Sequence, residues 1–408
     1  MRFLAMFIAV SFLFPVLLFA QMQWICATDS AGWSKRYEHT SVVFNGKIWI
    51  IGGLYYTNNI NDVWYSTDGI NWTQAVDSVG WSWRATHTSV VFDNKMWVIG
   101  GYDRNFPPPK NDVWYSTDIV NWILATDSAA WDKRGAHTSV VFEGKIWILG
   151  GARGYPPAKN DVWYSTDGIN WTQATASAGW LGRCCHTSVV FDNKLWVLGG
   201  FVDDGVYMND VWYSTDGVSW IQTTPSAGWS PRYGHTSVVF DNKIWVIGGR
   251  TDVNFYNNDV WYSTDGVNWI QATDSAEWIP RLFQTSVVFN DKIWIMGGYF
   301  QNGYLNDVWY SRGLGIGEEY TTLEAERLTP EIYPNPAKDV MRVRIPLPVK
   351  EKTELKIFDV SGKLVKVSDK VTSPQSHQQE VRISLKGINP GIYFLKHGKE
   401  TKKFLVVK

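Results

Sequence analysis

Six times along the chain a short, almost wholly apolar run ends in a Gly-Gly pair, at Gly52, Gly100, Gly150, Gly199, Gly248 and Gly297. In the first copy Thr40 to Phe44 is followed by a turn at Asn45-Gly46, and Lys47 to Ile51 then leads into Gly52-Gly53. This pattern predicts two strands and a hairpin. After a loop, Asn61 to Ser66 reads as a third strand, Asp68-Gly69 as a turn, and Asn71 to about Val76 as a fourth strand. The second strand is apolar on both sides, as expected where both faces are covered. The fourth mixes Trp72 with Thr73 and Gln74, so each sheet grows wetter outward. A sheet of this kind cannot cover its own faces. The copies must stack around an axis, which predicts an all-β, six-bladed β-propeller.

The sixth copy stops at Trp309-Tyr310-Ser311 without a fourth strand, and the missing piece lies at the other end of the chain. Trp24-Ile25-Cys26-Ala27-Thr28-Asp29-Ser30 aligns with Trp269-Ile270-Gln271-Ala272-Thr273-Asp274-Ser275. The N-terminal segment is therefore expected as the outer strand of the last blade, closing the ring and removing two open edges.

An Arg before the first strand, Gly-Gly after the second, a bulky aromatic on the third and a Trp opening the fourth resemble the kelch repeat over residues 24–311. That resemblance implies a propeller like the central domain of galactose oxidase, but no single activity, because kelch propellers serve as enzymes, binding modules and scaffolds. One departure is Gln284, where the other copies carry His39, His87, His137, His186 and His235.

Variation between the copies is confined. Between each Gly-Gly and the next Asn-Asp lie 7, 9, 8, 8, 8 and 7 residues, and the rest of each repeat keeps one length. The dipeptide after each Arg also varies: Tyr37-Glu38, Ala85-Thr86, Gly135-Ala136, Cys184-Cys185, Tyr233-Gly234 and Leu282-Phe283. In an antiparallel four-stranded blade both segments emerge on one face. The candidate binding residues on that rim are Tyr55, Tyr56, Tyr102, Arg104, Phe106, Tyr155, Tyr207, Arg250, Phe255, Tyr256, Phe300 and Tyr304, with Asp203 among them. Aromatics among polar groups suit a sugar or peptide ligand. Drift in solvated loops gives the competing explanation.

Composition sets further bounds. Arg2 followed by the apolar run Phe3 to Ala20, ending Leu18-Phe19-Ala20, has the layout of a secretory signal peptide, and the mature chain is expected to start near Gln21 with no membrane helix. Trp24 and Ile25 occupy positions where a lipid-anchor signal needs small residues. Net charge is -1, yet residues 332–408 hold 16 Lys+Arg against 7 Asp+Glu, while residues 3–331 hold 21 against 32. An acidic propeller argues against nucleic acid. With 3 cysteines there is no disulfide framework, so 25 tryptophans must supply stability by packing.

The recurrent Arg36, Arg84, Arg134, Arg183, Arg232 and Arg281, like the recurrent Asp62, Asp112, Asp161, Asp210, Asp259 and Asp307, read as blade-to-blade hydrogen-bonding elements, since one active site does not need six copies. The Ser66 to Trp72 run is one residue short of the sialidase Asp-box. The ligand pattern of copper-radical sugar oxidases is absent. Cys184-Cys185 admits a vicinal disulfide, a thiol pair or a metal site, the last disfavoured without a second Cys/His pair. No catalytic residue, metal or cofactor is assigned.

After a linker at 313–331 the pattern changes and Trp disappears. Val340 to Ile345, Leu355 to Val360, Ile392 to Leu395 and Phe404 to Val407 predict a small β-sandwich over 332–408. Tyr333-Pro334-Asn335-Pro336, Asp359-Val360-Ser361-Gly362-Lys363, Asn389-Pro390-Gly391-Ile392-Tyr393 and the terminal Lys402 to Lys408 resemble the type A C-terminal sorting domain of type IX secretion in Bacteroidota. The resemblance implies a secreted or outer-membrane-surface protein whose tail engages that machinery. The domain plan is thus a signal at 1–20, a propeller at 21–312, a linker at 313–331 and a sorting domain at 332–408. The expected function is a noncatalytic propeller that binds glycan or protein at its variable rim. The alternative is a carbohydrate-active enzyme of isomerase or lyase type.

Overall fold

The computed structural model describes residues 22–312 apart from loop positions 57, 104–108, 155–156, 253–254 and 302, and, in the tail, 331–333, 340–346, 356–359, 363–367, 378–397 and 400–406. The expected signal peptide, most of the linker, Arg104, Phe106, Tyr155 and Pro334-Asn335-Pro336 lie outside the described residues. The chain divides into two compact units, Met1–Leu314 and Gly315–Lys408.

In the first unit, five sheets run in chain order from first to fourth strand. Blade one, for example, uses Thr40–Phe44, Lys47–Tyr55, Asn58–Ser66 and Thr73–Val76. The sixth sheet takes Thr285–Phe289, Lys292–Phe300 and Gly303–Ser311, and its outer strand is Trp24–Thr28. Neighbouring first strands touch all the way round, including the last against the first.

The second strand shows why an unbroken apolar run is needed. Ile48 and Ile50 pack toward blade six with Val287, Trp294 and Met296, whereas Trp49 and Ile51 pack toward blade two with Met96 and Val98. Successive side chains point to opposite faces, and here each face is an interface. Six such clusters each straddle two adjacent blades, so the core is a circle of interfaces.

The Gly-Gly pairs mark where neighbouring chains come closest. Gly52 has φ +58°, and a Cβ there would sit 2.9 Å from His87 Cε1 of the next blade. Gly53, at φ +105°, would put one 2.7 Å from the Cβ of His39. No L side chain fits either position, which fixes the motif physically.

The recurrent arginines act differently from expectation. Arg36, fully buried, forks onto Asp62 of its own blade at 2.6 and 2.9 Å, donates to the Gly52 carbonyl at 3.0 Å and lies over the Trp33 ring. The other five repeat this arrangement with Asp112, Asp161, Asp210, Asp259 and Asp307. Blade-to-blade linkage comes instead from the Arg36 backbone, whose N–H donates to Leu305 and whose carbonyl accepts from Gly298 of blade six. A rigid guanidinium fork suits a bidentate carboxylate, so each Arg locks the inter-blade connection onto its own sheet.

The tail unit forms two sheets. One orders Glu331–Tyr333, Val340–Pro346 and Gln378–Ser384. The other orders Leu364–Val367, Lys356–Asp359, Gly391–His397 and Glu400–Val406. The Gln378–Ser384 strand is an addition to the sequence reading, its Gln-Gln-Glu opening having masked the alternation of Val381 and Ile383. Ile357, Leu395 and Val406 are buried.

Candidate functional site: the axial bowl

Both variable segments meet on one edge of the ring. Tyr37 exchanges backbone hydrogen bonds with Leu54 at 3.1 and 2.9 Å, and the same bridge joins Ala85 to Tyr102, Gly135 to Ala152, Tyr233 to Arg250 and Leu282 to Tyr299. In blade four it extends into a short strand, Arg183–Cys184 against Phe201 and Val202.

The second residue of each variable dipeptide lies nearest the axis. The Thr86 N–H donates to the Glu38 carbonyl, Ala136 to Thr86, Cys185 to Ala136, Gly234 to Cys185, Phe283 to Gly234, and Glu38 back to Phe283, at 2.7 to 3.3 Å. This is a closed ring of six amide hydrogen bonds. All six residues have φ between 52° and 61°. Five of them are not glycine, although the left-handed region disfavours L residues. The ring satisfies amides that a sharp inward turn would otherwise leave orphaned, which offsets that strain. One backbone geometry therefore presents a carboxylate, a hydroxyl, a methyl, a thiol, no side chain and a phenyl ring around one floor.

The aromatic residues of the rim are unevenly spread. Tyr55, Tyr56 and Tyr304 form a triad with centroids 4.5 to 5.3 Å apart. Tyr304 continues to Tyr37 and Tyr299, Tyr37 to Phe283, Phe283 to Tyr233, and Tyr233 to Tyr207 and Phe201. Tyr256 joins Tyr299 and Phe300. The result is a continuous aromatic arc over blades four, five, six and one. Blades two and three offer Ala85, Thr86, Gly135, Ala136 and Ala152 at the same positions, with Tyr102 their one described aromatic from the candidate set. Among the described residues the aromatics of the bowl are gathered on one side.

Of the expected site residues, Tyr55, Tyr56, Tyr207, Arg250, Phe255, Tyr256, Phe300 and Tyr304 fall within this arc or against it, and Tyr102 sits apart. Asp203 is turned to the loop, accepting from the Ala158 N–H at 3.1 Å. Tyr37, Phe201, Tyr233, Phe283 and Tyr299 join the set. Their signal was present, since each lies in a variable dipeptide or directly follows Gly-Gly. Tyr56 and Phe255, both at positive φ, are 57% and 58% exposed, so two large rings are held out to solvent in a conformation that disfavours them.

Burial pushes the Tyr233 hydroxyl well above its usual range, with Arg250 pulling the other way. Below the floor, burial beside the arginines pushes His87, His137 and His235 down to about 3, and His39 and His186 are likewise held neutral. Each His Nε2 meets a Thr hydroxyl of the preceding blade, as His87 does Thr40 at 3.2 Å. Gln284 instead donates to the Ile247 carbonyl, and Thr236 turns to Ser286. Cys184 is buried and Cys185 half-buried, with their sulfurs 3.9 Å apart and no disulfide between them. Among the described residues no three His, Cys, Asp or Glu side chains are grouped to hold a metal, and no helix is long and apolar enough to cross a membrane.

Residues 136–313 match the KLHDC2/KLHL20/DRC7 Kelch-repeats domain, residues 35–65 and 84–115 match the Kelch motif, and residues 331–408 match the secretion system C-terminal sorting domain. Among solved structures the chain is similar to that of YjhT, at 16% identity and a TM-score of 0.58, over 70% of this chain and 96% of that one. No curated protein matches the chain.

Proposed function

From the premise that this chain is a kelch-repeat propeller ending in a type IX sorting domain, we propose that it is a binding propeller recognising glycan or peptide in its axial bowl. The sorting domain directs the protein to the cell surface or the extracellular space. We further read residues 1–20 as its export signal and 332–408 as its contact with the secretion machinery.

The observation that carries the reading is the amide ring. Six residues share one backbone conformation and one hydrogen-bond pattern, yet their side chains all differ. Where structure alone is selected, repeats stay alike, as the six Arg–Asp pairs do. Side chains that diverge on an invariant frame, beside an arc of partly exposed aromatics, fit a surface shaped for a ligand. Glycan and peptide arrays probed with the full chain test this. Capture should be lost on replacing Tyr56, Tyr304 and Phe255 together by Ala and kept on replacing Ile70, Val120 and Ile169 on the opposite face. Equal loss from both sets would sink it.

One observation favours the second reading, a carbohydrate-active isomerase or lyase: the floor holds a single carboxylate, Glu38, and a single thiol, Cys185, rather than six equivalent groups. Turnover assays on any captured sugar separate the two.

A further inference from the structure

Six arginines of the repeat frame fork onto an aspartate. Arg250, which directly follows the Gly-Gly pair of blade five, does not. Its guanidinium lies over the rings of Phe255 at 5.6 Å and Tyr256 at 6.0 Å. Its one described side-chain hydrogen bond is a long one, Nη1 to the Tyr233 hydroxyl at 3.4 Å, and its Nε is buried without a partner. The titratable groups that act on it are the neutral hydroxyls of Tyr233, Tyr207 and Tyr256, with no carboxylate among them. Its backbone is fixed by the bridge to Tyr233.

An arginine stacked on ring faces keeps its in-plane N–H donors pointing outward, and it loses part of its hydration to the rings. Such a group presents a preformed, bidentate receptor for a carboxylate, and a charge-assisted pair at a partly dried site is among the stronger polar contacts available. With no acidic side chain among the described residues to occupy it, the fork is left for something that arrives.

Resting on the reading of the bowl as a ligand surface, we propose that Arg250 anchors the carboxylate of an acidic sugar residue, a uronic acid, within a bound glycan. Phe255, over which the guanidinium lies at 5.6 Å, is 58% exposed, so ring surface not covered by Arg250 is open directly beside the anion receptor, an arrangement that suits a sugar ring bearing its own carboxylate. A pyranose can lay its C–H face on an aromatic ring while its carboxylate meets the guanidinium, as one rigid unit that loses little freedom on binding.

The test uses the full chain, a galacturonic acid oligomer, a neutral galactose oligomer of equal length and a set of peptides ending in a free carboxylate, with binding followed calorimetrically at low and raised salt. The acidic oligomer should bind more tightly than the neutral one, the more so at low salt. Arg250→Met should weaken it roughly 10- to 100-fold, the loss of a hydrogen-bonded charge contact, and Arg250→Lys should recover part of that. The neutral oligomer should not respond to either variant. Equal affinity for the two oligomers, or no effect of Arg250→Met on the acidic one while the thermal midpoint is unchanged, overturns the proposal. Peptide capture that depends on Tyr304 but not on Arg250 also overturns it, and leaves the wider bowl reading standing. Failure of every oligomer and peptide removes both.

Discussion

Trp24 pairs with Ser311 across nearly the whole propeller, and its indole stands edge-on to Trp278 at 5.9 Å and 87°. Every blade has this contact: Trp72 with Trp33, Trp122 with Trp81, Trp171 with Trp131, Trp220 with Trp180 and Trp269 with Trp229. The N-terminal strand therefore reproduces the outer edge that the sixth repeat lacks, down to one ring pair. Trp24→Ala should cost about 3–5 kcal/mol. Deleting residues 21–30 should cost more, because the sixth sheet then gains a bare edge. Thermal unfolding of both variants checks this, and an unchanged midpoint would reject closure by this strand.

Gly217 has φ +73°, and an added Cβ would lie 2.1 Å from Trp147 of the preceding blade. Gly46 has φ +68° and nothing within 4 Å. Both Ala variants incur left-handed strain of about 1 kcal/mol. Only Gly217→Ala also displaces a buried indole, so it should be worse by about 1–3 kcal/mol. Chemical denaturation of the pair isolates the packing term from the backbone term.

Asp62→Asn should remove the charge partner of Arg36 while nearly keeping its shape. Arg36 is fully buried and Asp62 nearly so, and breaking such a pair costs about 3–5 kcal/mol. Ligand capture at the bowl should fall only in step with the folded fraction, because the pair lies in the frame and not on the floor. Binding measured well below the unfolding midpoint distinguishes the two.

The five buried histidines make the propeller acid-sensitive. Their folded-state values lie far below the ordinary histidine value of 6.5, to about 3 for His87, His137 and His235, so the unfolded chain takes up protons first. Stability should be flat above about pH 7 and fall as the pH drops through 6 toward 4, each site contributing at most about 1.4 kcal/mol per pH unit. His137→Gln, copying Gln284 of the last blade, should flatten that slope by about one proton. A midpoint rising between pH 7 and pH 5 would contradict the assignment.

The frame was readable because its constraints are local. Lys47 to Ile51 could only be a strand covered twice, Asn45-Gly46 could only turn, and Trp24 matched Trp269 residue for residue. The amide ring was not readable, since Glu38, Ala136 and Phe283 carry no left-handed signal: tertiary hydrogen bonds hold them at positive φ. Ile119, which occupies the place taken by Gly69, Gly168, Gly217 and Gly266, is also at positive φ, 70°, held there by a local bond from its N–H to the Ser116 hydroxyl and by burial of its side chain. Tyr37 and Phe283 were visible as variable but not as neighbours, because blades six and one become adjacent only after the circle closes.

Joining its first strand to its last also sets an order of events during synthesis. Trp24 precedes its pairing partners at 308–311 by nearly six blades' worth of chain. Until those are made the opening segment has no native strand partner, and the final blade no outer edge. Loop closure over such a span is slow compared with local hairpins. The nascent protein can therefore form sheets one by one, but it becomes a single cooperative object only when its two ends meet.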